Sequence, residues 1–230
     1  MVPYYQDGLI TLFHGDWLDV YKSNALGPNF NPNWSVVTDP PYGKNEQTMR
    51  GKRGRGKATA SLDFVPVHGD TEKFNPEPWI RFKDVILWGA NWYADWLPIS
   101  SSWLVWDKRE GIASDDNADC ELAWSNIGGP ARLFRHYWKG MIKASEKRET
   151  RVHPTQKPVA LMQWCISLLK DPILILDPYA GGGSTLIAAK KMGIKAIGIE
   201  IEEQYCRTIV HRLGGVVNEP DTKLNMRRFL

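Results

Sequence analysis

A carboxylate, two prolines and an aromatic ring stand together directly after a short apolar run. Residues 35–38 (SVVT) lead into Asp39, Pro40, Pro41 and Tyr42. Consecutive prolines stop β-ladder pairing and hold the chain in a rigid, extended turn. This turn fixes the Asp39 carboxylate, the Pro40 carbonyl and the Tyr42 ring relative to one another. Two acceptors beside an aromatic ring suit an exocyclic amine on a flat base.

The chemistry of such an amine explains why it needs two acceptors. In adenine and cytosine the lone pair of the amino group is spread into the ring, so the nitrogen is a poor nucleophile. Accepting both N–H groups favours a tetrahedral, nucleophilic nitrogen. A base in a duplex must first leave the stack to reach the turn. An isolated Asp-Pro-Pro-Tyr is more often only a turn, so the interpretation depends on a second motif.

The second motif follows another apolar run, at residues 173–176. The chain continues as DPYAGGGST over residues 177–185. Glycine adopts positive φ and lets the backbone approach a ligand, and the helix that opens here offers unpaired N–H groups. The next apolar run ends in Glu200, whose carboxylate can accept hydrogen bonds from both hydroxyls of a ribose. These features predict a nucleoside-containing cofactor at the carboxyl edge of a sheet.

Other cofactors fit this motif less well. Leu186 stands where a dinucleotide fingerprint requires its third glycine, and the sequence contains no P-loop run. A carboxylate at Asp177 would repel phosphate but suits a cationic group such as the ammonium of S-adenosylmethionine. The alternative is that the glycines serve only tight packing of the turn.

The elements that must position both motifs alternate between strands and helices. Short, continuously apolar runs indicate strands buried on both faces of a parallel sheet, at residues 35–38, 84–88, 103–106, 121–125, 173–176 and 195–199. Helical spacing with end signals predicts helices over residues 158–169, 184–192 and 202–213. This alternation predicts an α/β fold with a doubly wound, mostly parallel sheet.

The two motifs together resemble those of the amino-group DNA methyltransferases that use S-adenosylmethionine. Asp177 follows Asp39 by 138 residues, an order similar to the permuted β group, and the resemblance covers nearly the whole chain. It implies a Rossmann-like methyltransferase fold with seven strands, one of them antiparallel. It also implies direct methyl transfer, S-adenosylhomocysteine as product and no metal. Residues 1–230 are expected to form a single domain.

The resemblance also implies roles for individual residues. It assigns catalysis to the four residues Asp39, Pro40, Pro41 and Tyr42. Gly15-Asp16 resembles the pair that contacts the cofactor adenine, and residues 153–158 (HPTQKP) resemble a segment whose Thr155 and Lys157 approach the methionine part, Lys157 at its carboxylate. The expected cofactor-binding set is Asp16, Thr155, Lys157, Asp177, Tyr179, Ala180, Gly181, Gly183, Ser184, Thr185 and Glu200.

The sequence departs from the family pattern in two places. Tyr179 and Gly182 replace the usual Phe and Ser, which keeps a ring and a small residue. The expected target-recognition segment, residues 126–152, has only about 27 residues. Sequence recognition is therefore expected to be minimal or shared with the basic loop after Tyr42.

The target atom is expected to be adenine N6. In the family, Asp at the first motif position is associated with adenine and Ser with cytosine N4; cytosine N4 stays open because both amines present two N–H groups. C5-cytosine chemistry is excluded, since none of Cys120, Cys165 and Cys206 follows a proline. A nucleic-acid-binding module without catalysis is a further alternative, which predicts no cofactor binding. A nicotinamide-dependent oxidoreductase is a third, against which Leu186 counts.

Basic charge is concentrated in two segments of a chain whose net charge is only +3. Residues 44–57 contain six Lys or Arg and one Glu, and residues 132–151 contain seven Lys or Arg and two Glu. Such clusters on a mildly acidic body favour a polyanion partner over solvated loops. DNA contacts are expected from a loop at about 43–62 and from the recognition segment, through Lys44, Arg50, Lys52, Arg53, Arg55, Lys57, Arg135 and Lys139.

Composition bounds the remaining possibilities. No run of about 18 apolar residues indicates a membrane span, and the scattered cysteines fit reduced thiols. The cysteines therefore predict an intracellular protein. The family resemblance implies a bacterial, archaeal or phage origin and a role such as restriction-modification, and it is compatible with a homodimer. Trp88, Trp92 and Trp96 stand four residues apart, which predicts core packing rather than a base-stacking surface.

Overall fold

The computed structural model describes residues 1–27, 31–43, 67–112, 118–139, 142–147, 149 and 151–216. Within these ranges the strands are β1 Tyr5–Gln6, β2 Ile10–His14, β3 Ser35–Thr38, β4 Asp84–Trp88, β5 Trp103–Asp107, β6 Cys120–Ser125, β7 Arg132–Arg135, β8 Trp138–Lys139, β9 Ile142–Lys143, β10 Ile175–Asp177 and β11 Ala196–Glu200. The helices are α1 Trp17–Lys22, α2 Val159–Ser167, α3 Ser184–Lys191 and α4 Glu203–Arg212.

All six predicted strands and three predicted helices are present, with ends within two residues of those expected. The sheet has the order β1-β2-β11-β10-β3-β4-β6-β5-β7, and β8 pairs with β9 in a separate hairpin. The prediction of a mostly parallel α/β sheet is confirmed. The count of seven strands is wrong, since the described chain forms a nine-stranded sheet in which β1 and β6 run against the others.

The additional strands at the sheet edges depend on contacts that local sequence patterns do not show. The carboxylate of Asp7 accepts hydrogen bonds from the backbone N–H groups of Leu9 and Ile10, both at 2.8 Å. This turn folds the two-residue β1 back onto β2, and two residues are too few to display alternation. At the opposite edge, β7 joins β5 in parallel.

Two cores cover the two faces of the sheet. Val37 contributes to the core under α2, α3 and α4, whereas its neighbour Val36 contributes to the core on the other face, beside α1. Successive strand residues point to opposite faces, so a run that is apolar at every position is buried twice. The centre of the sheet is therefore rigid, and its carboxyl edge can hold side chains in fixed positions.

The tryptophan prediction is correct for one of its three residues. Trp88 is fully buried, but Trp92 and Trp96 are 47% and 48% exposed. Residues 90–92 and 94–96 form two short 3₁₀ turns, so spacing by four does not place side chains on one face. Tyr93 enters the core instead, and its hydroxyl donates to the Trp88 carbonyl at 2.7 Å.

Three further expectations from the sequence concern membrane spans, the state of the cysteines and the basic segment. No helix among the described residues is long and apolar enough to cross a membrane. Cys165 and Cys206 are buried, Cys120 is exposed, and all three are free thiols. The basic segment 44–57 lies outside the described residues.

Candidate active site

The two motifs meet because their strands are neighbours. β10 pairs with β3 in parallel, with Leu176 opposite Val36. The turns that follow these strands therefore leave the sheet at the same edge. Thr38 Oγ1 donates a hydrogen bond to Asp177 Oδ1 at 2.7 Å, which joins the strand before Asp39 to the start of the glycine turn.

A cavity of 410 Å³ opens at this edge. A smaller one of 40 Å³ shares part of its lining, including Asp39 and Gly181. Of the residues predicted at the site, the larger cavity is lined by Asp16, Asp39, Pro40, Pro41, Tyr42, Thr155, Tyr179, Gly181 and Glu200. The smaller is lined by Asp39, Thr155, Lys157, Asp177, Tyr179, Ala180, Gly181, Ser184 and Thr185. The structure thus brings both motifs to one continuous site.

Glu200 occupies the position that the sequence predicts for a ribose-binding carboxylate. It ends β11, where Oε2 accepts from the Gly181 N–H at 2.7 Å and Oε1 accepts from the Glu202 N–H at 2.8 Å. Each carboxylate oxygen offers two acceptor positions, so each keeps one for a further hydroxyl. Burial raises the pKa of Glu200 to about 7. The charged, fully accepting form is therefore the minor one below neutral pH.

Asp16 lies at the same end of the larger cavity. Its side chain caps α1 by accepting from the Leu18 N–H at 2.8 Å. The preceding Gly15 donates its N–H to the Glu200 carbonyl at 2.9 Å. The predicted adenine-side and ribose-side residues are therefore joined through backbone.

Three residues of the predicted cofactor-binding set hold the glycine turn in shape. Gly183 has φ +78°, and a Cβ added there would lie 2.8 Å from Ile209 Cγ1, so only glycine fits. The Ser184 hydroxyl donates to the Lys157 carbonyl at 2.6 Å, and Thr185 bonds through its side chain to Asp177. These contacts are within the protein. Ser184 and Thr185 also line the smaller cavity, so their predicted contacts with a cofactor stay a prediction.

Asp177 also serves the structure of the site. It is almost fully buried and accepts hydrogen bonds from Thr38 and from the Tyr179 N–H. Burial raises its pKa to about 6. Its opening toward a ligand is confined to the smaller cavity, so the predicted contact with a cofactor ammonium has to be made there.

Lys157 has partners that the sequence analysis did not anticipate. It is 6% exposed and forms ion pairs with Asp39 and, at 3.1 Å, with Glu121. Burial alone would lower the pKa of Lys157, but the two carboxylates raise it above its usual range. These ion pairs form because β6 brings Glu121 to the same edge. Lys157 also lines the smaller cavity, and its expected contact with a cofactor carboxylate stays a prediction.

Glu121 in turn bridges two lysines. Its Oε1 lies 2.7 Å from Lys108 Nζ, opposite the contact with Lys157. Burial would raise the pKa of Glu121, but the two ammonium groups hold it at about 2. A charged residue at the start of the predicted buried strand at residues 121–125 was the sequence signal that could have identified Glu121.

His153 lines both cavities, although its residue type and spacing had not marked it as a site residue. Its ring packs edge-on against Tyr205 at 4.4 Å between centroids, and its Nδ1 accepts from the Thr155 N–H at 3.3 Å. Burial lowers the pKa of His153 to about 3, so the ring is neutral at physiological pH. Residues 67–74, which lack any periodic pattern, supply another wall of the larger cavity.

Of the predicted DNA-binding residues, Arg135 has a side chain that the structure describes, and it lines neither cavity. Arg135 lies on β7 at the sheet edge, 67% exposed, with its Nε 3.7 Å from Asp107 Oδ2. Lys139 lies in β8. Lys44, Arg50, Lys52, Arg53, Arg55 and Lys57 fall outside the described residues. Among the described residues, no cluster of three His, Cys, Asp or Glu side chains is placed to hold a metal ion.

Comparisons with known proteins agree with this geometry. A family model described as DNA methylase (N6_N4_Mtase) matches residues 129–211. Type II methyltransferase M2.DpnII of Streptococcus pneumoniae is 36% identical over 254 residues, covering 92% of each chain. The chain belongs to the N6/N4 DNA methylase family. Type II methyltransferase M2.LlaDCHI of Lactococcus lactis subsp. cremoris is 30% identical over 115 residues, or 50% of this chain.

Not every relative in this family matches along its whole length. The alignment with M2.LlaDCHI spans 42% of that protein, and a 48% identical match to an Escherichia coli (strain K12) relative spans 30% of that protein. The similarity to M2.DpnII extends over nearly the full length of both chains.

Solved structures share the fold. The M1.HpyAVI-SAM complex has a TM-score of 0.55 at 22% identity, covering 89% of this chain and 99% of that one. The PvuII DNA methyltransferase, described as cytosine-N4-specific, has a TM-score of 0.55 at 16% identity, covering 95% and 90%. The Rossmann-like methyltransferase fold expected from the sequence is confirmed.

Proposed function

We propose that this chain transfers a methyl group from S-adenosylmethionine to the exocyclic N6 of an adenine in DNA. The observation that carries the proposal is that residues 39–42 and Glu200 line one cavity. The Thr38–Asp177 hydrogen bond joins the first motif to the glycine turn, and the Gly181 N–H joins that turn to Glu200. The names of the type II methyltransferase relatives and of the SAM complex support both the reaction class and the cofactor.

The residues present fit the cofactor. Glu200 keeps acceptor positions for two ribose hydroxyls, and Asp16 lies beside it at the adenine end. Thr155 and Asp177 line the smaller cavity, where the methionine part would lie. When bound, S-adenosylmethionine supplies a methyl group on a sulfonium and leaves as S-adenosylhomocysteine.

The chain's own contribution is to orient the target amine. Asp39 and the Pro40 carbonyl accept its two N–H groups, and Tyr42 stacks on the base. Catalysis is then mostly positioning, with acceptors aimed at the positive charge that develops on the nitrogen. Lys157 and the rigid prolines hold the Asp39 carboxylate in place for this task.

Cytosine N4 is the second candidate for the target atom. The fold is as similar to the cytosine-N4-specific PvuII enzyme as to M1.HpyAVI, with a TM-score of 0.55 for each. Asp at the first motif position favours adenine within the family. Both amines present two N–H groups to the same acceptors.

The test is nucleoside mass spectrometry on unmethylated DNA incubated with the protein and S-adenosylmethionine, with Asp39→Ala as control. N6-methyladenine that is absent with the variant supports the proposal. N4-methylcytosine keeps the mechanism and changes the base. An absence of both product and cofactor binding would favour a nucleic-acid-binding module without catalysis.

Cofactor affinity is expected to fall as the pH decreases through 7. Glu200 has its pKa raised to about 7, so below that pH its carboxyl is increasingly protonated and accepts fewer hydroxyl hydrogen bonds. Binding favours the carboxylate, so it should release a proton, and the Kd should rise up to about tenfold per pH unit below 7. Calorimetry in buffers of different ionisation enthalpy measures both effects. A flat affinity between pH 8 and 6 with no proton release would contradict the assignment of Glu200.

The basic segment is expected to contribute DNA affinity without base specificity. Replacing Arg50, Lys52, Arg53 and Arg55 together by Gln should weaken DNA binding, because each phosphate contact releases counterions. The slope of log K against log salt should become less steep, by up to about 0.9 per lost contact. An unchanged slope in a salt titration, with S-adenosylmethionine binding intact, would show that the segment does not contact DNA.

A further inference from the structure

Trp92 lies against the ring of Tyr42. The two ring planes are nearly parallel, at 12°, and their centroids are 6.0 Å apart. Tyr42 lines the larger cavity, whereas Trp92 is not among the described residues that line it. Trp92 nevertheless keeps 47% of its surface exposed, so burial in the core does not explain its position. Its partner in the fold is the aromatic ring of the catalytic motif.

Gly89 makes this arrangement possible. It has φ +70°, and a Cβ added there would lie 2.3 Å from Tyr42 Cε1 and 2.5 Å from Cδ1. The Tyr42 ring thus lies directly on the Gly89 backbone. The backbone N–H of Trp92 donates to the Gly89 carbonyl at 3.0 Å. This hydrogen bond fixes the two residues that contact the Tyr42 ring, Trp92 and Gly89, relative to each other.

Gly89 and Trp92, the two residues that contact Tyr42, both follow β4, the neighbour of β3 in the sheet. β4 pairs with β3 in parallel, with Leu87 opposite Thr38. The catalytic motif leaves the end of β3, and Gly89 with the 3₁₀ turn at residues 90–92 leaves the end of β4. Parallel pairing of β4 with β3 therefore brings Gly89 and Trp92 to Tyr42, just as parallel pairing of β10 with β3 brings Asp177 to Asp39.

We propose that Trp92 is a positioning residue that backs the Tyr42 ring, so that the ring offers a fixed face to the extruded target base. The inference rests on the proposed function, since it concerns how the base is held. A ring that is already ordered loses less freedom when the base stacks on it. Trp92 should therefore affect the steps that involve DNA and leave cofactor affinity unchanged.

The chain offers a matched control in Trp96. It has the same residue type, belongs to the next 3₁₀ turn and is 48% exposed. Its ring contacts Lys73, whose Nζ lies 4.6 Å from the Trp96 ring centroid. Replacing Trp92 or Trp96 by alanine therefore removes a similar amount of exposed tryptophan surface. Replacement of Trp92 also removes the contact with Tyr42.

The experiment compares the wild type with Trp92→Ala, Trp92→Phe and Trp96→Ala. Trp92→Ala should lower kcat/KM for DNA by about tenfold or more, from stacking lost at the base, with the S-adenosylmethionine Kd within about twofold. Trp92→Phe should restore most of the rate, and Trp96→Ala should stay within about threefold of wild type. The fluorescence of 2-aminopurine placed at the methylated position rises when the base leaves the stack. This rise should be smaller with Trp92→Ala than with the wild type, and unchanged with Trp96→Ala.

A readout without catalysis separates this inference from the proposed function. With 3-fluorotyrosine incorporated and the Tyr42 resonance assigned by Tyr42→Phe, its ¹⁹F signal should shift or broaden in Trp92→Ala and stay unchanged in Trp96→Ala. Equal effects of the two alanine variants on this signal and on kcat/KM would overturn the inference. A wild-type protein that methylates no base would instead overturn the proposed function, and the ¹⁹F comparison would still decide whether Trp92 holds the ring.

Discussion

Asp39→Ala is expected to reduce methyl transfer by at least about 10²- to 10³-fold, the scale seen when one preorganised electrostatic group is removed from an active site. The variant loses an acceptor for the target amine but none of the contacts around Glu200. Its S-adenosylmethionine affinity should therefore stay within about threefold. Initial rates with labelled cofactor and calorimetric binding measure the two quantities.

The same variant should remain folded, because Lys157 keeps Glu121 as a partner at 3.1 Å. Asp39→Asn is the matched control, since it keeps the shape and one acceptor oxygen but removes the charge and adds an N–H donor. We expect it to be nearly as inactive as Asp39→Ala. Near-wild-type turnover of either folded variant would exclude Asp39 as the residue that holds the amine.

Lys157→Met is expected to have the largest effect on stability. It removes the cation between Asp39 and Glu121, so two carboxylates are left close together with only Lys108 to offset them. Breaking a buried ion pair from one side costs about 3–5 kcal/mol. Urea unfolding measures the loss. Lys190→Met is the control, because the Lys190–Asp7 pair is about one-third exposed and should contribute about 1 kcal/mol or less.

A second substitution tests the cause of that instability. If uncompensated charge is responsible, Asp39→Asn should recover part of the free energy of unfolding in the Lys157→Met background, although it removes a further side-chain charge. Lower pH should also narrow the gap between wild type and Lys157→Met, because Glu121, with its pKa held at about 2 by the lysines, loses that depression and becomes protonated more readily. Additive losses in the double variant would point to packing instead.

Local signals in the sequence identified the elements that carry the site. The run at residues 35–38 has two β-branched valines at its centre, and two prolines follow directly after Asp39, so both the strand and the turn follow from adjacent residues. The glycine turn is local for the same reason, because three consecutive glycines follow the strand and Gly183 adopts a positive φ. The carboxyl-edge rule for parallel strands then places Asp39 and Glu200 at one edge.

The contacts that the sequence did not reveal depend on pairing between distant segments. Glu121 reaches Lys157 only because β6 lies antiparallel between β4 and β5. Ser184 and Lys157 have the residue types of ligand-binding groups, but their partners are set by the tertiary fold. Trp92 was misassigned because its spacing was interpreted as α-helical where the chain forms 3₁₀ turns.

The parallel strands that carry the site tolerate changes in the length of the segments that connect them. β3, β4 and β10 are neighbours in the sheet, although residues 39–83 and 89–174 connect them. Strand pairing sets their separation at about 4.8 Å, whatever the length of the connection. Doubling the length of a flexible connection costs only about 0.6 kcal/mol in closure entropy. Insertions between these strands can therefore enlarge or diversify the surface that meets a partner while Asp39 and Asp177 keep their positions.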